Sequence, residues 1–375
     1  VTFTDVKERA FAIAIWGSIS VVGMALGPII GGLLLEAFWW GAVFLVNVPV
    51  VILAIIGTVI FAPVIAPNRA AKWDFISSIY AMVGLTGLVF AIKESAKCSF
   101  TWVLAVAIVA TIVGLWMFTR RQGRLEQPML DFAIFRNPAV AAGVIAAGAG
   151  LFMLAGIQLV GTQRFQLVAD FSPTEAGLLV SVLAVASLPT SLLTGALLHR
   201  IGLLVSIAGG FAISVVGSVI VALTFQTSFA WLIVGLVVIG AGTGLVYGVA
   251  STATSGNVES RRAGMASAVE EVSFELGGLI AVAVLGSVVS AVFSSAIRLP
   301  AGVDAAAAEG ILEARAIAEG MGAGGAELLA SAGAAYDFGF FVVMIIVAAV
   351  AAVATVATGI LLRRYTPGPE SGSHD

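Results

Sequence analysis

Apolar runs of about 20 residues, broken by short clusters of charge, glycine and proline, recur along the whole 375-residue chain. A helix that crosses a bilayer needs about 20 mostly apolar residues, because in hydrocarbon its backbone polar groups must be satisfied within the segment. The pattern predicts ten such helices: Phe11–Leu35, Trp40–Ala62, Phe75–Ile92, Phe100–Thr119, Ala139–Val160, Ala176–Leu198, Leu203–Phe225, Phe229–Ser251, Ala263–Phe293 and Phe338–Leu362. The expected fold class is therefore all-α and polytopic. The first run follows a charged segment and is too long for a cleaved signal peptide.

Composition supports this reading and adds an orientation. Hydrophobic residues make up 60% of the chain and charged residues 10%, against about 25% charged in soluble domains. Acidic and basic residues nearly cancel, which leaves no field to attract a nucleic acid. One cysteine, Cys98, excludes an internal disulfide, and two histidines offer little to a metal, so no cofactor is expected. Most of the basic residues, among them Arg69, Arg120, Arg121, Arg136, Arg200, Arg261, Arg262 and Arg363, fall in loops on one side of the ten spans. The positive-inside rule places that side, and both termini, in the cytoplasm of a cell membrane.

The first span carries Gly23-Met-Ala-Leu-Gly27-Pro28-Ile-Ile-Gly31-Gly32, glycines four apart that form a shallow groove on one helix face. Read alone, this is a small-residue packing face, with Pro28 able to kink the helix. Together with Trp16-Gly17 and Phe44-Leu45-Val46-Asn47-Val48-Pro49, it resembles the antiporter motif and the fifth and sixth helices of the 14-span drug:proton antiporters of the major facilitator superfamily. Gln127-Pro128-Met129-Leu130-Asp131, Phe171-Ser172-Pro173-Thr174-Glu175-Ala176-Gly177-Leu178 and Ala268-Val269-Glu270-Glu271-Val272-Ser273-Phe274-Glu275-Leu276-Gly277 are similar to later segments of that family, in the right order.

The resemblance implies ten of fourteen helices, with four preceding Val1. Residues 1–63 would end an N-terminal six-helix half, 64–137 would hold two inserted helices and a cytoplasmic loop, and 138–365 would form the C-terminal half. A faint repeat agrees: Val22, Leu26 and Gly27 recur as Val272, Leu276 and Gly277, as between the halves of secondary carriers. Gly195-Ala-Leu-Leu-His199-Arg200-Ile-Gly202 resembles the second-half copy of the superfamily's cytoplasmic loop motif, with His199 in place of the acidic residue. A tight turn with one basic anchor is the alternative.

Candidate chemistry centres on Glu270 and Glu271, adjacent carboxylates in an apolar helix, with Glu275 one turn beyond Glu271. A charge at mid-bilayer costs about 2.5–3.5 kcal/mol, so its retention marks a function. A carboxyl that holds either a proton or a cation is the minimal chemistry for exchange. Counting about 1.5 Å per residue from Arg262 puts the pair near mid-membrane; the alternative is that it reaches the cytoplasmic headgroups. Trp16, Asn47, Phe152, Gln158 and Tyr247 are candidate cavity-lining residues, while Gln163 and Gln166 are weaker and Arg164 reads as an anchor at the external end. Ser294 to Asp337 is a long external connection with helical stretches at Ala305–Glu319 and Ala326–Ala335. Pro367–Asp375 reads as a disordered tail. The expected function is proton-coupled efflux of lipophilic organic cations by the complete protein, with protons, a small cationic substrate and lipid as partners. A carrier for another metabolite and a non-transporting fragment are the alternatives; the spans hold no nucleophile or metal set for an enzyme.

Overall fold

The computed structural model describes residues 23, 26–61, 74–95, 101–125, 128–259, 262–363 and 365. Trp16 and the tail beyond Pro367 lie outside them. In chain order the helices are α1 (Leu26–Ala37), α2 (Ala42–Leu45), α3 (Asn47–Phe61), α4 (Phe75–Ser95), α5 (Trp102–Gln122), α6 (Pro138–Leu167), α7 (Pro173–Thr224), α8 (Phe229–Thr254), α9 (Ala263–Ala296), α10 (Ile311–Gly320) and α11 (Gly325–Leu362). No strand occurs among the described residues. Their starts follow from polar caps: Thr101, Asn137, Ser172 and Ser228 each accept a hydrogen bond from a backbone N–H of the helix they open. At α7 the cap is reciprocal, with Glu175 reaching back to the Ser172 backbone.

Eight helical segments, with α2 and α3 taken together as one (Ala42–Phe61), are long and apolar enough to cross a membrane. α7, 52 residues long, covers two predicted spans, because Gly202 breaks it with φ +73° and ψ 166°. α1 is the described end of the first span, so the ten predicted crossings are all represented. Two local expectations are corrected. The stretch at Ala305–Glu319 is not one helix but a 3-10 turn at Ala305–Ala308 followed by α10, separated by an extended Gly310. The predicted external helix and the last span are one continuous rod, since nothing between Ala326 and Leu362 breaks α11.

The core lies between α6, α7, α8, α9 and α11, where side chains such as Met153, Phe211, Leu285 and Met344 are fully buried. Lipid is as apolar as leucine, so close backbone approach must hold such helices together. Glycines supply it. A Cβ on Gly240, Gly244 or Gly248 of α8 would sit 2.3, 2.3 or 2.5 Å from carbonyl oxygens of Leu183, Ser187 and Ser191 in the first half of α7. α4 and α5 form an antiparallel pair through Gly84 and Gly114, and α3 has no buried residue.

The helix directions gather Asp74, Arg121, Arg200, Arg262 and Arg363 at one end of the bundle, called here the basic end. Arg164, Asp170, Arg315 and Asp337 gather at the far end. At the basic end of the α4–α5 pair, Arg121 makes a two-pronged contact with Asp74, at 2.9 Å from Nη2 and 3.0 Å from Nε.

Candidate functional site

α9 presents two faces, set by where it crosses α6. A Cβ on Gly277 would lie 2.0 Å from the Gly148 carbonyl oxygen, so the two backbones touch at that point. Seven residues earlier, two turns along the same face, comes Glu270, which is only 7% exposed. Its carboxylate accepts a hydrogen bond from the hydroxyl of Thr254, the last residue of α8. About 100° round the helix, Glu271 is exposed, and Glu275 continues that outer face with Val272 and Leu279. The adjacent pair is thus divided, with one carboxyl packed between helices and the other on an open face.

The site lies about two turns into α9, in the basic-end third of a 34-residue helix rather than at its middle. At about 1.5 Å per residue, α9 is longer than the roughly 30 Å of hydrocarbon. Arg262, at the start of α9, is turned away from the carboxylates and pairs with Asp131 at 2.9 Å. Around the same corner, Asn137 donates to the Asn257 carbonyl at 2.8 Å, and Ser255 and Ser267 approach to 2.7 Å.

One aromatic candidate joins this site. Tyr247, two turns before Thr254 on the same face of α8, packs against Phe274 of α9 with ring centroids 5.6 Å apart. Its ring edge covers Gly150 of α6, where a Cβ would lie 2.9 Å from the ring. The Tyr247 hydroxyl is enclosed and has no hydrogen-bond partner among the described residues. Phe152 and Gln158 are half-buried on α6, Gln158 about 12 Å along the helix from Gly150, and Asn47 is exposed on α3. These three are not brought to the carboxylates.

The glycine motif of α1 is used at two points. The Pro28 carbonyl oxygen lies where a Cβ of Gly177 would come to 2.3 Å, and Gly32 faces Pro173 and Thr174 at 2.7 and 2.8 Å from its own notional Cβ. Gly23, Gly27 and Gly31 face no described atom within 4 Å. Glu36, at the end of α1, accepts from the Thr174 backbone N–H at 3.1 Å. Hydrogen bonds from Ser172 and Thr174 hold the Glu36 carboxyl below the usual range. The motif therefore closes the bundle against the start of α7 at the far end. In the loop motif, Gly195, His199 and Arg200 are exposed and Gly202 makes the turn.

Some residues that matter here were not legible as sites. Thr254 looks like any threonine at the end of a span. Arg164 reads as an anchor but is buried, paired with Asp337 at 2.7 Å and ringed by Phe165, Phe225 and Phe340 at 4.8–5.8 Å. An arginine and an aspartate flanking two spans at the same end was the available signal. Two apolar grooves of about 520 and 530 Å³ lie along α4 and α5, far in sequence from these carboxylates and with almost no polar lining.

Membrane-length helices packed through glycines, with a carboxyl held inside the bundle, define a polytopic membrane protein. The Major Facilitator Superfamily profile matches residues 1–281, and the chain belongs to that superfamily of transporters. It is 34% identical over 369 residues to the multidrug efflux pump LfrA of Mycolicibacterium smegmatis, a match covering 96% of this chain and 73% of LfrA. It is 32% identical over 308 residues to the methyl viologen resistance protein SmvA of Salmonella typhimurium, covering 81% of this chain and 62% of SmvA. The multidrug resistance protein Stp of Mycobacterium tuberculosis is 31% identical over 297 residues, 79% of this chain and 55% of Stp. The chain thus spans between about half and three quarters of the length of these relatives. A solved bacterial homologue of the human lysosomal transporter Spinster, in an inward-facing and occupied conformation, shares the fold with a TM-score of 0.51 at 18% identity, over 77% of this chain and 67% of that one.

Proposed function

We propose that the complete protein exports lipophilic organic cations across the cytoplasmic membrane in exchange for protons, as a member of the fourteen-helix branch of the superfamily, and that the basic end of this chain faces the cytoplasm. The observation that carries this reading is the division of the glutamate pair. Glu270, held by Thr254 inside the bundle, takes and releases the proton. Glu271 and Glu275, on the open face of an apolar helix, meet the positive charge of the cargo. Arg262 is engaged by Asp131, so among the described residues no guanidinium is paired with the carboxylates in the cargo's place. Tyr247 and Phe274 add aromatic surface beside the carboxyl, and a desolvated cation–π contact contributes about 2 kcal/mol. The relatives named for multidrug efflux and methyl viologen resistance support the class of cargo.

The test is efflux by the complete protein in vesicles with an imposed pH gradient. Glu270→Gln should abolish proton-driven ethidium efflux, and Glu271→Gln should weaken ethidium binding at least tenfold. Wild-type efflux in both variants would overturn the assignment.

A further inference from the structure

We propose that Thr254 is the positioning residue for Glu270: a hydroxyl that turns over with the protonation of the carboxyl, so that Glu270 keeps its place between α6, α8 and α9 with or without its proton. This rests on the reading of Glu270 as the proton site.

Thr254 is fully buried, and its Oγ1 lies within hydrogen-bonding distance of three acceptors: the Ala250 carbonyl at 3.1 Å, the Ser251 carbonyl at 3.2 Å and the Glu270 carboxylate. A threonine hydroxyl has one proton to give and two lone pairs to offer. With Glu270 ionised, that proton goes to the carboxylate, where a charge-assisted bond is the strongest of the three. With Glu270 protonated, its own O–H donates to a lone pair of Thr254 Oγ1. The Thr254 proton then turns to the Ala250 carbonyl, the ordinary back-bond of a helical threonine. Only hydrogens move. Thr254 gains and loses no proton, and the one that Glu270 exchanges comes from and returns to water.

The β-branch sets the aim. A Cβ at Gly143 of α6 would come to 2.5 Å from the Thr254 Cγ2 methyl, so that methyl occupies the notch left by the glycine. A β-branched side chain seated in this way has little freedom at χ1, and its hydroxyl is directed at α9.

The other titratable groups leave this role to Thr254. Glu271 is the neighbour on α9, and Arg262 before it is held by Asp131 with Glu259 at 4.0 Å. Tyr247 stands two turns along α8, and α4, which also packs on α9, carries Tyr80, Lys93 and Glu94. Between Pro138 and Gln163, and between Phe338 and Leu362, α6 and α11 contain no titratable side chain.

The experiment measures protons released when tetraphenylphosphonium binds the purified complete protein, as a function of pH. Thr254→Val keeps the shape and removes the hydroxyl, depriving an ionised Glu270 of its Thr254 donor while the contact with the Ser251 hydroxyl remains. The midpoint of the release profile should move to higher pH by about one unit, the equivalent of one hydrogen bond to a charged group. Thr254→Ser should bring it most of the way back. Gly143→Ala, which pushes on the Thr254 methyl, should shift it in the same direction, and it serves if the valine variant folds poorly. Unshifted midpoints in both variants, with release still abolished by Glu270→Gln, would overturn the role of Thr254 and leave the proton site standing. Normal release by Glu270→Gln would overturn both.

Discussion

Glu270 and Glu271 differ by one position and by nearly everything else. The turn of about 100° between them places one against Thr254 and the other on an open face. The sequence showed that a charged pair sat in an apolar helix, and the 3.6-residue period showed that the two could not face the same way. Which of them was buried depended on the crossing of α6 and α9 at Gly148 and Gly277, a contact between residues far apart in the chain. Gly202 turns α7 in a conformation, φ +73° with ψ 166°, that is essentially restricted to glycine. Gly202→Ala should therefore cost about 1–3 kcal/mol, read as a lower thermal midpoint of the purified protein. Its notional Cβ meets no atom within 4 Å, so an unchanged midpoint would refute strain as the reason for glycine.

Between elements, contact is made where side chains are smallest or where charges pair. α1 reaches the start of α7 through Pro28, Gly32 and Gly177, so Gly177→Val should force the two apart. A cysteine pair placed across this contact should cross-link less in the Gly177→Val background than in the parent. At the foot of α4, hydrogen bonds from Arg121, and after them from Ser77, hold the Asp74 carboxyl well below its usual range. A carboxyl lowered by folding stabilises the folded state fully above its unfolded pKa of about 3.9, and that contribution is lost as the pH falls from there towards the folded value. The difference in thermal midpoint between the parent and Asp74→Asn should therefore stay constant from pH 8 to about pH 5 and shrink below about pH 4. The α4–α5 pairing was legible from two apolar runs joined by a short break. Its ion pair was not, because Asp74 and Arg121 each look like an ordinary end-of-helix charge.

At the scale of the whole molecule, the far end is tied by polar contacts that cross several helices. Arg164 of α6 meets Asp337 of α11, and Gln226, just past α7, donates to the same carboxylate at 3.1 Å. Arg315 of α10 donates to the Leu167 carbonyl at 2.6 Å and to Asp170 at 2.9 Å, docking the segment after α9 onto the turn between α6 and α7. Breaking one side of a buried pair strands the other charge, so Asp337→Asn should destabilise the protein by about 3–5 kcal/mol. Replacing Arg164 and Asp337 together by leucine should recover most of that loss; a melting experiment on the three variants distinguishes the outcomes. Apolar length and the spacing of charge determined by themselves that the described chain is helical and that its helices are long and apolar enough to cross a membrane, because these are properties of contiguous segments in a solvent without water. Only the tertiary structure decided which glutamate is buried, that Thr254 is its partner, and that Arg164 is part of a pair rather than a surface anchor, because each depends on which faces of distant helices meet.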